Sequence, residues 1–221
     1  IGAFYAAPAS GYVTRGLQLL LDADLHTFSG GSVTASDGTV FSAGLGFSQS
    51  SGLYTKDAST SSALTSLAAG ALFQSQTVMS VDIWFDVLGG GVNKGIFSTS
   101  AANNADGFML RFDEAGFFGG QSNVMNMNMN NRGVETNNIT WDLNMAHFAM
   151  VYAASGSVLK AYINGVDTGI SGSGGSFPSN TGTNNDRFSV GIGDKNSGTG
   201  GSFGLFRIYQ SALTATEVLQ N

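Results

Sequence analysis

The chain contains no cysteine, which excludes a disulfide framework and any thiolate metal site and leaves the redox compartment open. Charge is also scarce. Only 11% of the residues are Asp, Glu, Lys or Arg, less than half of the ~25% usual in globular domains. The nine Lys and Arg are scattered and the net charge is −6. That balance argues against a nucleic-acid partner, whose phosphates require a basic face. No window approaches eighteen uninterrupted apolar residues, so no membrane-spanning helix is expected. The chain opens at Ile1 without a basic segment followed by an apolar run, so any leader peptide is expected to have been removed already. No repeat of fixed period is visible.

What is present is core material. Hydrophobic residues make up 42% of the chain, including 16 Phe, 6 Tyr and 2 Trp. These are abundant anchors for a packed interior and speak against disorder. With so few charges, the polar surface must come from Gly, Ser, Thr and Asn, a composition suited to a loop-rich β protein outside the cell or on a virion surface. A length of 221 residues accommodates one all-β sandwich. Residues 13–221 are read as a single domain, with residues 1–12 as an N-terminal arm or a first strand.

Period-two alternation recurs along the chain and predicts antiparallel strands. It is seen around Leu17–Leu21, Val81–Val87, Phe108–Phe112, Ile139–Leu143, Phe148–Tyr152, Leu159–Ile163, Phe188–Ile192 and Phe203–Tyr209. Asn164-Gly165 directly follows one such run and predicts a type I′ hairpin, which needs positive φ at both central residues. Gly-rich stretches at 88–95, 169–175 and 197–204 read as loops. Ser59–Leu72 reads either as a short helix or as an irregular loop. Near the end, Thr214 and Glu217 have capping-box spacing, with Leu213 and Val218 at the staple positions, which predicts a short helical turn.

From Trp141 onward the order of features resembles a known family. It comprises His147-Phe-Ala-Met-Val-Tyr152, Leu159-Lys-Ala-Tyr-Ile-Asn-Gly165, Val190-Gly-Ile-Gly193 and Arg207-Ile-Tyr-Gln-Ser-Ala-Leu-Thr-Ala-Thr-Glu-Val218. Together with the opening run Gly16-Leu-Gln-Leu-Leu-Leu-Asp-Ala23, these resemble laminin-G-like domains of the concanavalin A-like lectin/glucanase superfamily. The closing segment Ala212–Asn221 is similar to such domains in marine phage virion proteins. The resemblance implies a jelly-roll sandwich of two antiparallel sheets. Many relatives carry acidic residues just before the Arg-Ile-Tyr run, where this chain has Phe203-Gly-Leu-Phe206, so any role of those acids does not carry over. The fold hosts lectins, hydrolases, lyases and scaffolds, and does not settle function.

The clearest chemical pattern is Asp82-Ile-Trp-Phe-Asp86. In a strand, Asp82, Trp84 and Asp86 share one face while Ile83 and Phe85 turn to the other. An indole between two carboxylates suits a sugar, whose ring it covers while the acids bind hydroxyls. The alternative is a Trp84 packed under a neighbouring segment, with the acids solvating the strand. As a glycosidase pair the two carboxylates are poorly placed. Their Cα atoms would stand about 13 Å apart along a strand, whereas hydrolysis needs carboxyl groups ~5–9.5 Å apart. Met125-Asn-Met-Asn-Met-Asn130 would place Asn126, Asn128 and Asn130 on one strand face. That row can serve hydroxyl-rich ligands or simply form the polar side of an amphipathic strand. His147 heads a strand, with His26 remote in sequence, and reads as structural. The family resemblance implies loop-bound calcium, for which Asn104, Asp106 and Asp194 offer oxygen ligands, although no cofactor is required.

These readings combine into a non-catalytic surface module of lectin-like character, on a secreted or virion protein, binding a glycan or another surface protein. A structural subunit of a capsid, fibre or filament is the competing reading, in which assembly or a homo-oligomer replaces glycan binding. A polysaccharide hydrolase or lyase ranks third.

Overall fold

The computed structural model describes residues 11–57, 63–73, 76–88, 94–98, 108–113, 124–129, 132–135, 146–153, 155, 158–169, 188–190 and 200–221. In chain order the first strands are β1 (Leu17–Asp22), β2 (Ser32–Thr34), β3 (Val40–Ala43), β4 (Phe47–Ser50), β5 (Leu53–Lys56) and β6 (Leu64–Ser66). Helix α1 (Leu67–Ala71) follows, then β7 (Val78–Leu88), β8 (Lys94–Ser98), β9 (Phe108–Asp113), β10 (Val124–Met129) and β11 (Arg132–Glu135). The chain closes with β12 (Ala146–Ala153), β13 (Val158–Ile163), β14 (Val166–Asp167), β15 (Phe188–Val190), β16 (Gly200–Tyr209) and α2 (Ala215–Gln220).

Two antiparallel sheets result. One runs β14-β13-β12-β7-β16-β5-β4, with β1 beside β5 along the same flank of β16, and the other runs β11-β10-β9-β8-β15-β6-β3-β2. Their facing sides enclose the main core. The first sheet contributes Val81, Ile83 and Phe85 from β7, Phe148 and Met150 from β12, and Phe203, Phe206 and Ile208 from β16. Phe41, Leu64, Phe97 and Val190 come from the second sheet.

The strand β16 departs from simple alternation. Phe203 pairs with Phe85, but Leu205 pairs with Trp84, so Gly204 forms a bulge. Beyond it Phe206 faces the core opposite Ile83, and Arg207 turns outward opposite Asp82. One inserted residue thus switches the parity of the strand.

The outer side of the first sheet is not left to water. Ala149, Val151, Tyr162 and Tyr209 form a second apolar cluster there with Val13, Leu213 and Val218. The C-terminal helix and residues around Val13 therefore form a third layer. Helix α2 is short, and its end is fixed by the capping box: Glu217 N donates to Thr214 Oγ1 (3.2 Å), and Thr214 N donates to Glu217 Oε2 (2.8 Å). Leu213 and Val218 are both buried beneath this turn.

Several sequence expectations need adjustment. The stretch 59–72 contains a strand and a short helix, β6 and α1, the latter capped by the Ser66 side chain. The loop expected at 197–204 is in part strand, since β16 starts at Gly200, and the loop expected at 88–95 gives up Leu88 to β7 and Lys94–Gly95 to β8. Backbone pairing of β16 with β7 and of β8 with β9 extends those residues despite the glycines. The short strands β2–β5 had no clear alternation. The N-terminal arm through Ser10, the run Ile139–Leu143 and most of the 169–175 loop lie outside the described residues.

Candidate functional site

Strand β7 presents Asp82, Trp84 and Asp86 on the side opposite the core-facing Val81, Ile83 and Phe85, as its alternation requires. The three outward residues meet different surroundings. Asp82 is fully buried, because the third layer closes over it. Its Oδ1 accepts from Arg207 Nε at 2.8 Å and its Oδ2 accepts from Asn221 Nδ2 at 2.8 Å. Arg207, equally buried, also donates to the backbone oxygen of Asn221 at 2.9 Å, and its guanidinium lies 5.7 Å from the centroid of the Tyr12 ring. The Asn221 amide is used from every side, donating also to the Tyr209 hydroxyl (3.1 Å) and accepting from Val13 N (2.9 Å). Burial acts to push the Asp82 carboxyl up. The adjacent Arg207 charge and His147 outweigh it, and the group lies below the ordinary carboxylate range. Asp82 is therefore a structural anion, and its expected role in touching ligand is corrected by its burial and pairing.

Asp86 is half-buried, opposite Ser202 on β16. Its Oδ1 has no hydrogen-bond partner among the described residues, and burial pushes its carboxyl up. With Asp82 locked to Arg207, the two carboxylates cannot exchange roles as acid and base on one substrate.

Trp84 is half-buried and pairs in register with His147 on β12. The two rings stack with centroids 5.1 Å apart and planes 18° apart. Beyond them lies a cleft of about 350 Å³, lined by Trp84, His147, Asn164, Gly165, Leu219 and Asn221. Three elements build it: the sheet supplies the two rings, the β13–β14 turn one wall, and the end of α2 the other. The Asn164-Gly165 turn forms as its sequence predicts, with φ of 51° and 77°. The Asn164 side chain accepts from His147 N at 2.9 Å, and Asn164 N donates to His147 O at 2.8 Å. Gly165 is demanded twice over: its φ suits glycine, and a Cβ there would meet Leu219 Cδ1 at 2.5 Å. Leu219 is 70% exposed and Val166, on β14 beside the turn, 68%, so apolar surface continues from the cleft to its rim.

His147 is 2% exposed. Its Nε2 lies 3.8 Å from Asp82 Oδ2, beyond hydrogen-bond range, and has no partner among the described residues. A buried imidazole nitrogen without a partner is costly and draws attention to the ring.

The other expected site residues fall elsewhere. Asn126 and Asn128 lie on β10, in the second sheet, paired with Arg111 and Met109 of β9. The outward side of β7 and the β10 row therefore belong to different sheets and do not make one continuous face. Asn104, Asp106, Asn130 and Asp194 lie outside the described residues. Among the described residues no three His, Asp or Glu side chains gather in a way that could hold a metal ion, and no helix is long and apolar enough to cross a membrane. The sequence reading missed Leu219 and Asn221 as cleft residues and treated Asn164-Gly165 only as a turn. Nothing in a linear pattern shows that a turn and a helix end meet over a strand far upstream of both.

A two-sheet antiparallel sandwich with an aromatic cleft on one outer face defines a lectin-like β-sandwich domain. A family model described as the concanavalin A-like lectin/glucanases superfamily, of laminin-G type, matches residues 56–219, and the chain belongs to that family. None of the curated proteins matches the sequence. Among solved structures it is similar to Trypanosoma rangeli sialidase, at 12% identity and a TM-score of 0.69 over 97% of this chain and 33% of that one. The binding domain of Paraclostridial Mosquitocidal Protein 1 is similar at 16% identity and a TM-score of 0.65, over 92% of this chain and 51% of the other. Domain 4 of AbnA, an extracellular arabinanase from Geobacillus stearothermophilus solved with arabinotriose, is similar at 16% identity and a TM-score of 0.61, over 92% and 96%. The chain thus spans about a third of the sialidase and half of the toxin binding domain. At these identities the likeness is one of fold.

Proposed function

We propose that this domain is a non-catalytic glycan-binding module of a secreted or virion-surface protein, and that it binds through the cleft at Trp84. The observation that carries this reading is a partly exposed indole lining a compact cleft, on a sheet face where Ala149, Val151, Tyr162 and Tyr209 are covered. Such a ring can cover the apolar face of a sugar while the rim supplies polar contacts. Two of the solved structures with this fold are support of the same kind: a toxin's binding domain and an arabinanase domain holding arabinotriose. The carboxylates of β7 support binding over hydrolysis. The pair that flanks Trp84 is split between a buried ion pair and a half-buried acid, so β7 offers no acid–base couple.

A glycan-array screen of the wild-type domain, with Trp84→Ala alongside, tests the reading. Wild type is expected to bind a restricted set of glycans, and the variant to lose them while keeping its denaturation midpoint within about 1–2 kcal/mol, the range of a half-buried surface change. No binding by wild type, or full binding by the variant, would refute it.

A further inference from the structure

Resting on that reading, we propose that the cleft is a subsite for one neutral sugar residue, held by Trp84 and by a hydroxyl donating to Nδ1 of His147. Size comes first. A volume of about 350 Å³ lies at the small end of ligand pockets, ~300–1,000 Å³, and admits a single ring rather than a chain. The polar inventory narrows the choice further. Asn164 Oδ1 is committed to His147 N, and the Asn221 side chain to Asp82, Tyr209 and Val13. The His147 ring makes no such bond among the described residues. Its Nε2 edge lies on the Asp82 side, 3.8 Å from Oδ2, which leaves Nδ1 as the ring nitrogen for a ligand, and a neutral imidazole with its proton on Nε2 presents a lone pair there. A ligand hydroxyl is the matching donor.

Charge decides the class. Asp82 is already paired with Arg207, Asp86 lies two residues beyond Trp84 on the same face of β7, and the chain carries a net charge of −6. An anionic sugar would meet the Asp86 carboxylate nearby, with no cation among the described residues that line the cleft. A neutral pyranose, with an apolar face for the indole and Leu219 and a hydroxyl for His147, meets every condition.

The test is a titration of the ¹⁵N-labelled domain with methyl β-galactopyranoside, methyl α-glucopyranoside, N-acetylglucosamine and, as the anionic comparison, N-acetylneuraminic acid, following the imidazole nitrogens. The chain has two histidines, so His26, whose Nδ1 accepts from Asp22 N, serves as the internal control. At least one neutral sugar is expected to move the His147 Nδ1 resonance and leave His26 still. His147→Phe should weaken binding by about tenfold, the loss of one hydrogen bond. If that variant does not fold, Leu219→Glu at the exposed rim should weaken binding at least as far without touching the core. Trp84-dependent binding that leaves the His147 nitrogens unmoved and tolerates His147→Phe overturns this inference while the glycan-binding reading stands. So does preferential binding of N-acetylneuraminic acid. Absence of any Trp84-dependent binding overturns both.

Discussion

Removing the Asp82 carboxylate should be among the most damaging single changes this domain can suffer. Asp82 and Arg207 are both fully buried and joined at 2.8 Å, and Asn221 donates to the second carboxylate oxygen at 2.8 Å. Asp82→Ala takes away the counter-charge and leaves the guanidinium charge enclosed, a change that costs about 3–5 kcal/mol. For a domain of this length each kcal/mol lowers Tm by about 2–4 °C, so the midpoint should fall by roughly 6–20 °C. Arg207→Met should cost a similar amount, since it strands the carboxylate. The double variant should cost far less than the sum of the two, because the stranded charge is then gone. Denaturant unfolding at pH 7, by fluorescence and circular dichroism together, reads all three. The pH dependence has a fixed sign. Because the Asp82 carboxyl lies lower in the folded state than its unfolded value near 3.9, its contribution is complete above about pH 4 and is lost as pH falls through the folded value. The stability gap between wild type and Asp82→Ala should therefore close in acid. A single variant that costs under about 1 kcal/mol, or a double that is strictly additive, would refute the buried-pair account.

Three further outcomes are expected. Thr214→Ala should cost about 0.5–2 kcal/mol in unfolding free energy, since the Glu217 amide loses its acceptor; an unchanged midpoint would mean that the cap contributes nothing. Glu217 is drawn down from 4.5 to about 2 by its hydrogen bond to Arg15 and by the Thr214 amide, so the stability difference between wild type and Glu217→Gln should be full above pH 4.5 and disappear as pH falls toward 2, and a pH-independent difference would contradict the pairing. Gly165→Ala should cost about 1–2 kcal/mol from its positive φ and should also shift Trp84 fluorescence, because the new methyl group displaces Leu219; a stability loss with unchanged fluorescence would separate the turn from the cleft.

Much of the fold was legible in the sequence because it is written locally. Alternation in β7, β12 and β13 gave strands whose inward residues are the ones observed, Asn164-Gly165 gave the hairpin, and Thr214 with Glu217 gave the capping box. The short strands β2–β5 were not legible, since three or four residues hold too little periodicity and their pairing with neighbours decides their state. For the site, alternation correctly placed Asp82, Trp84 and Asp86 on one side of β7. It could not say what lies over that side. Asp82 looked solvent-facing because a strand pattern carries no record of a helix returning 130 residues later to cover it. His147 read as structural on similarly local grounds, and its place in the cleft wall depends on Trp84, Asn164 and Leu219, which only the tertiary arrangement brings together.

The Gly204 bulge shows why so charge-poor a chain keeps two opposite charges in a covered layer. Without the bulge, Arg207 would stand opposite Val81 and point into the core among Phe148 and Met150, while Phe206 and Ile208 would turn outward. An unpaired guanidinium in that core would cost several kcal/mol. With the bulge, the same residue meets Asp82, and the aromatic and aliphatic residues after it return to the interior. A buried ion pair adds little stability over a well-packed apolar pair. What it does here is discriminate between two registers of β16 on β7 that differ by one residue and invert every side chain after Gly204. The same pair then holds the Asn221 side chain and backbone oxygen, which fixes the end of α2, and with it Leu219, against the Asn164-Gly165 turn. The walls of the Trp84 cleft are thus set by the register of a strand that contributes none of its lining residues.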